Sequence, residues 1–172
     1  MRTIFKATIA VGLVCCSLTA QQTSVRDSLL DRMVGTWVLQ GTIAGKETTH
    51  DVVMEWVLDH EYVQMHEVSR ERTPAGTPAY EAIVYFVRDP STKQYAVLWL
   101  DNTAAAVFDP GGVGHATAAG DSIPFVFVYS DTSRFHNTLV YHRPADTWEW
   151  HMDNEQSGVR RPFARVTLKR KH

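Results

Sequence analysis

From Thr36 onward, apolar and polar residues alternate with a period of two, the signature of half-buried strands. Trp37, Leu39, Gly41 and Ile43 share one face, and Thr36, Val38, Gln40 and Thr42 the other. A turn at Gly45-Lys46 leads into a second strand, residues 47–58, with His50, Val52, Met54, Trp56 and Leu58 on one face. Asp59-His60 reads as a two-residue hairpin turn, and the type I′ form needs positive φ at both central residues. That turn sets Trp56 against Val63 and Met54 against Met65 inside, leaving Glu55, Gln64 and His66 outside. Further strands follow at 61–71, 80–88, 94–100, 122–129, 134–142, 147–155 and 162–169. A weak strand is expected at 103–108 and a Gly/Ala-rich one near 113–119. The connections carry turn chemistry, as in Thr73-Pro74-Ala75-Gly76 and Asp89-Pro90-Ser91-Thr92.

Residues 24–33 break this rhythm. Val25, Leu29, Leu30 and Met33 fall on one helical stripe, and Ser24 stands three before Asp27 as in a capping box. A helix of two or three turns, ending before Gly35, is too short to be stable alone and must lie on apolar surface. No helical segment separates the strands, so a parallel crossover has nothing to run through. Ten or eleven antiparallel strands expose two edges unless the sheet closes. The expected fold is all-β: an antiparallel up-and-down closed barrel of about ten strands with a short N-terminal helix.

The first 20 residues read differently. Arg2 and Lys6 precede an apolar run from Ala7 to Leu18, and Ser17-Leu18-Thr19-Ala20 supplies small residues before Gln21. This is the layout of a signal peptide, with an apolar run shorter than the roughly 20 residues that cross a bilayer. The expected organisation is a leader at 1–20, then one barrel domain at 21–172, exported to the periplasm or beyond. Lipid attachment at Cys16, after Leu13-Val14-Cys15, is the alternative. Both cysteines lie in the leader, so cleavage after Ala20 leaves none and excludes thiol chemistry. Losing Arg2 and Lys6 from 17 basic residues leaves 15 against 19 acidic ones, a charge of about −4. The only basic block is Lys169-Arg170-Lys171, which is not the face that nucleic-acid binding requires. No stretch beyond the leader approaches transmembrane length.

Three groups of residues are candidates for chemistry. Parity places Trp37, Met54, Trp56, Met65, Tyr141, Trp148 and Trp150 inside, joined by Leu39, Ile43, Val63 and Met152. These Trp and Met side chains make a soft, polarisable wall, suited to an apolar guest or simply to filling the barrel. A four-residue loop at 143–146 pairs His142 with Thr147, Thr138 with His151 and His136 with Asp153. One hairpin face then gathers His136, His142, Glu149, His151 and Asp153. His136, His151 and Asp153 are a metal-type donor set, or an acid-base pair. They stand opposite the Trp-rich face, however, so the outer surface is expected. Glu55, Gln64 and His66, with Asp51 and Arg70, read as solvated cross-strand pairs. No phosphate loop, zinc pattern or nucleophile elbow is present.

A short helix, Gly35-Thr36-Trp37 opening the first strand, and Arg165 in the closing strand together resemble the calycins. That superfamily holds lipocalins, fatty-acid-binding-protein-like barrels and nitrobindin-like haem barrels. More narrowly, Leu58-Asp59-His60-Glu61-Tyr62 and Asp89-Pro90-Ser91-Thr92-Lys93-Gln94-Tyr95 resemble a bacterial lipocalin-like family of unknown function (the DUF1579 type). The resemblance implies that Trp37 packs at the closed end of the barrel, with Arg165 over its ring. The family label brings a fold and no established chemistry; the expectation drawn for this chain is a barrel that binds a small apolar or amphiphilic molecule, with no covalent chemistry of its own. Nitrobindin-like barrels carry a Tyr-Pro downstream of the Gly-rich stretch that this chain lacks, so no cofactor is expected. The alternatives are an enzyme of isomerase, cyclase or lyase type, needing ionisable groups inside the barrel, and a haem or metal carrier using an inward His.

Overall fold

The computed structural model describes residues 27–103 and 110–171. The expected leader at 1–20, Cys16, Ser24 and most of the expected weak strand at 103–108 lie outside them. Among the described residues there is one helix, α1 (Ser28–Met33), and ten strands. These are β1 (Gly35–Ile43), β2 (Lys46–Val57), β3 (Tyr62–Ser69), β4 (Glu81–Arg88) and β5 (Tyr95–Asp101). A 3-10 turn at Pro110–Gly112 precedes β6 (Val113–Ala116), β7 (Ser122–Val128), β8 (Ser133–His142), β9 (Thr147–Gln156) and β10 (Val159–Arg170). Each strand pairs antiparallel with its neighbours in sequence, and β1 pairs with β10 to close the barrel. Closure removes both sheet edges, as the alternation requires.

The period-two pattern becomes the burial pattern. Trp37 and Leu39 on β1, Val52 and Met54 on β2, and Val63 and Met65 on β3 are all buried. So are Tyr141 on β8, Trp148, Trp150 and Met152 on β9, and Ala164, Val166 and Leu168 on β10. The β2–β3 hairpin has the expected register, with Trp56 opposite Val63 and Met54 opposite Met65. Glu61 N donates to Leu58 O, and φ is positive at both Asp59 and His60, as a type I′ turn demands. The β8–β9 register likewise sets His142 against Thr147 and His136 against Asp153.

The helix starts later than the capping box implies. Asp27 itself is the N-cap, accepting from Leu29 N at 2.9 Å and Leu30 N at 3.0 Å. Leu29, Leu30 and Met33 are buried, so α1 plugs the barrel end where β1 begins. Both helix ends are pinned. Asp27 also accepts from the Tyr95 hydroxyl at 2.6 Å and pairs with Arg88 at 3.2 Å. At the other end, Met33 O accepts the Trp37 Nε1–H at 2.7 Å, and Arg32 O that of Trp148 at 3.4 Å. Helix-terminal carbonyls that lack intrahelical donors are thereby satisfied by indoles from the strands.

The arginine over Trp37 is Arg170, not Arg165. Its guanidinium carbon lies 4.1 Å from the ring centroid, and β1–β10 pairing sets Trp37 opposite Arg170. Parity is the reason. Ala164, Val166 and Leu168 point inward, so Arg170 shares their side, whereas Arg165 points out to Asp153. Gly35 fits this corner, because a Cβ there would collide with Nη1 of Arg170, and its φ of +139° favours glycine.

Candidate functional site

The residues expected to contact a guest divide by height in the barrel. Trp37, Tyr141 and Trp148 sit directly beneath α1: Tyr141 stacks on Trp148 with centroids 5.0 Å apart, and Arg32 covers the Tyr141 ring at 5.0 Å. Half-buried Trp56 donates to Asp31 of the helix at 3.0 Å. Met54 and Met65 are core residues. Trp150 is fully buried at mid-height, its ring 5.4 Å from that of Trp99. None of these seven lines the large cavity at the other end of the barrel.

The space lies at the end away from α1. A cavity of about 790 Å³ opens there, with Trp99 of β5, Phe127 of β7, Phe135 and Asn137 of β8, Met152 and Asn154 of β9, Phe163 of β10 and Tyr80 in its wall. Two local irregularities build it. First, β6 is only four residues long and pairs with β5 no further than Leu98, so Trp99–Asp101 have no β6 neighbour. The Pro110–Gly112 turn stands at that gap, and the cavity reaches Leu98, Leu100 and Val113 on the other face of the wall. Second, the β9–β10 register shifts between Pro162 and Ala164. Proline offers no N–H to a ladder, and the shift brings Phe163 edge-on against Phe135, centroids 5.6 Å apart.

Polar groups are few and individually placed. Tyr80 lines the cavity, and its hydroxyl accepts the Trp99 Nε1–H at 2.9 Å. Burial first, then the Glu67 and Asp101 carboxylates, push the Tyr80 phenol far above its ordinary range, so it stays protonated. Asn137, buried, accepts the Trp150 Nε1–H. Asp101 stands at the mouth, holding Thr103 N at 2.7 Å.

Behind Tyr80 lies an ionisable pair outside the three groups that sequence pattern singles out. His50 Nδ1 and Glu67 Oε1 are 2.5 Å apart, both side chains almost wholly buried. His50 Nε2 meets Thr48 Oγ1 at 2.8 Å, and its ring stacks on Tyr80 at 5.6 Å. Glu67 Oε2 is buried without a hydrogen-bond partner among the described residues. Extending the Val63–Met65 alternation by one step places Glu67 inside, and His50 already stands on the inward face of β2. The signal is present in the parity.

The outer-face candidates are dispersed. His142 and His151 each approach Glu149 at 3.3 Å, and these three side chains are all about two-fifths exposed. His136 bonds Glu155 at 2.7 Å, and Asp153 pairs with Arg165, so His136, His151 and Asp153 take separate partners. No group of three His, Cys, Asp or Glu residues with metal-binding geometry occurs among the described residues. Glu55 and Gln64 oppose each other on the outer face, His66 meets Glu81 at 2.8 Å, and Arg70 grips Asp51 with two hydrogen bonds. None of the described helices is long and apolar enough to cross a membrane. Compared with known proteins, the chain matches no family model and no curated relative.

Proposed function

We propose that this protein is an exported, lipocalin-like barrel of the calycin type that binds one small, largely apolar molecule. The guest occupies the cavity at the end opposite α1. The observation that carries this reading is the cavity itself: about 790 Å³, within the size range of ligand sites and walled by Trp99, Phe127, Phe135 and Phe163. Export rests on the leader-like residues 1–20, and the calycin assignment on Gly35-Thr36-Trp37 after a short helix.

The test is a titration with an apolar fluorophore. Wild-type protein takes up one equivalent, and Asn154→Trp, which adds bulk at an exposed position on the cavity rim, weakens uptake at least tenfold without lowering the melting temperature. Equal uptake by both proteins would place binding elsewhere. A second reading, acid-base turnover of the guest, is favoured by the buried His50–Glu67 pair, which meets the need for ionisable groups inside the barrel. Its test is Glu67→Gln, which abolishes turnover of a bound guest while leaving uptake intact. Carriage of haem or a metal has no comparable support.

A further inference from the structure

Two indoles set the polar character of the cavity's inner wall. Trp99 donates to the Tyr80 hydroxyl and Trp150 to Asn137 Oδ1. An indole N–H only donates, so the Asn137 amide must turn its oxygen toward Trp150. In each pair the lining residue gives up its acceptor oxygen. What these two residues hold out to a guest is the Tyr80 O–H and the Asn137 amide N–H, both donors, and neither has an acceptor among the described residues; the other uncharged polar lining residues, Thr103, Tyr129 and Asn154, are exposed. Burial keeps the Tyr80 phenol protonated at any ordinary pH, so this donor is permanent.

Charge points the same way. No Lys, Arg or His lines the cavity among the described residues, while Asp101 stands at its mouth and Glu67 lies behind Tyr80. A carboxylate guest would shed its water beside the Asp101 carboxylate and find no cationic side chain in the described lining, which is costly. A neutral carbonyl oxygen meets waiting donors and brings no charge.

We propose, on the premise that the cavity is a guest site, that it selects an uncharged molecule bearing a carbonyl-type acceptor on an apolar skeleton. Tyr80 and Asn137 hold the acceptor, and the carboxylate form of the same skeleton is rejected. The guest class is therefore a ketone, ester or amide rather than a fatty or aromatic acid.

Calorimetric titration at pH 7.5 with 2-ethylnaphthalene, 2-acetylnaphthalene and 2-naphthoate separates the possibilities, because the skeleton is constant and only the polar group changes. The ketone binds about tenfold tighter than the hydrocarbon, the worth of one good hydrogen bond, and roughly a hundredfold tighter than the carboxylate. Tyr80→Phe brings the ketone close to the hydrocarbon and leaves the hydrocarbon's affinity unchanged, which also shows that the variant keeps its cavity. Hydrocarbon binding with no ketone preference, with a carboxylate preference, or with a preference that survives Tyr80→Phe overturns the selectivity but leaves the guest site standing. Failure of all three compounds to bind overturns both.

Discussion

Replacing Arg170 by Met should destabilise the barrel more than the same change at Arg165. Met keeps much of the aliphatic stem and removes the guanidinium. At Arg170 that group lies over Trp37 at 4.1 Å, donates to Val34 O at 2.9 Å and Arg32 O at 3.2 Å, and pairs with Asp146. The cation–π contact contributes about 0.5–2 kcal/mol. The Val34 carbonyl left without its donor costs about 1–3 kcal/mol. The Asp146 pair is half exposed and adds little. The expected loss is about 2–4 kcal/mol. Arg165 pairs with Asp153 on the solvent side and its Nη1 donates to Met152 O at 2.8 Å and Ala164 O at 2.6 Å, but it covers no ring, so its removal should cost less, about 1–2 kcal/mol. Urea unfolding followed by far-ultraviolet circular dichroism measures both without relying on tryptophan emission. A cycle with Trp37→Leu should return a coupling of about 0.5–2 kcal/mol between Trp37 and Arg170. Equal losses for the two arginine variants, or a near-neutral Arg170→Met, would refute the assignment of Arg170 as the residue that clamps the plugged end.

A chain beginning at Val34 should melt roughly 6–12 °C below one beginning at Gln21, corresponding to about 3 kcal/mol net from the buried Leu29, Leu30 and Met33; equal melting temperatures would remove α1 from its role as plug. Gly41→Ala places a Cβ against the Arg165 carbonyl and 2.8 Å from Val166 Cα at a φ of +146°, so a loss of about 3 kcal/mol or failure to fold is expected by chemical denaturation. The Arg70 side chain, then Lys171, hold the Asp51 carboxyl down at about 2. A depressed carboxyl stabilises the fold above its unfolded value near 3.8 and loses that contribution as pH falls toward 2, so Asp51→Asn should narrow the gap between urea midpoints at pH 6 and pH 3.

The barrel is legible in the sequence because its determinants are local. Alternation marks each strand, and the lengths of the turns at Asp59-His60 and 143–146 are enough to fix two registers. The site residues are harder to assign, because parity says which side chains point in but not how high they stand. Trp37, Tyr141 and Trp148 are interior, yet α1 covers them. The helix runs directly into β1, so the barrel end at the start of β1 is the plugged one. Following strand direction from there moves the open space to the end of β5 and the starts of β8 and β10. The expectation for Arg165 fails for a related reason, since counting from Ala164, Val166 and Leu168 makes Arg170 the inward arginine. Phe163 cannot be placed by counting, because the register shift at Pro162 resets the parity there.

Native mass spectrometry of a chain beginning at Gln21, purified from the cells that express it, tests the guest site most directly. The account predicts a reproducible extra mass of one small molecule, released on denaturation, absent from Asn154→Trp and restored to wild type by incubation with 2-acetylnaphthalene as a surrogate. An unliganded mass for both proteins, unchanged at millimolar surrogate, would contradict it and leave a barrel whose open end serves no small molecule.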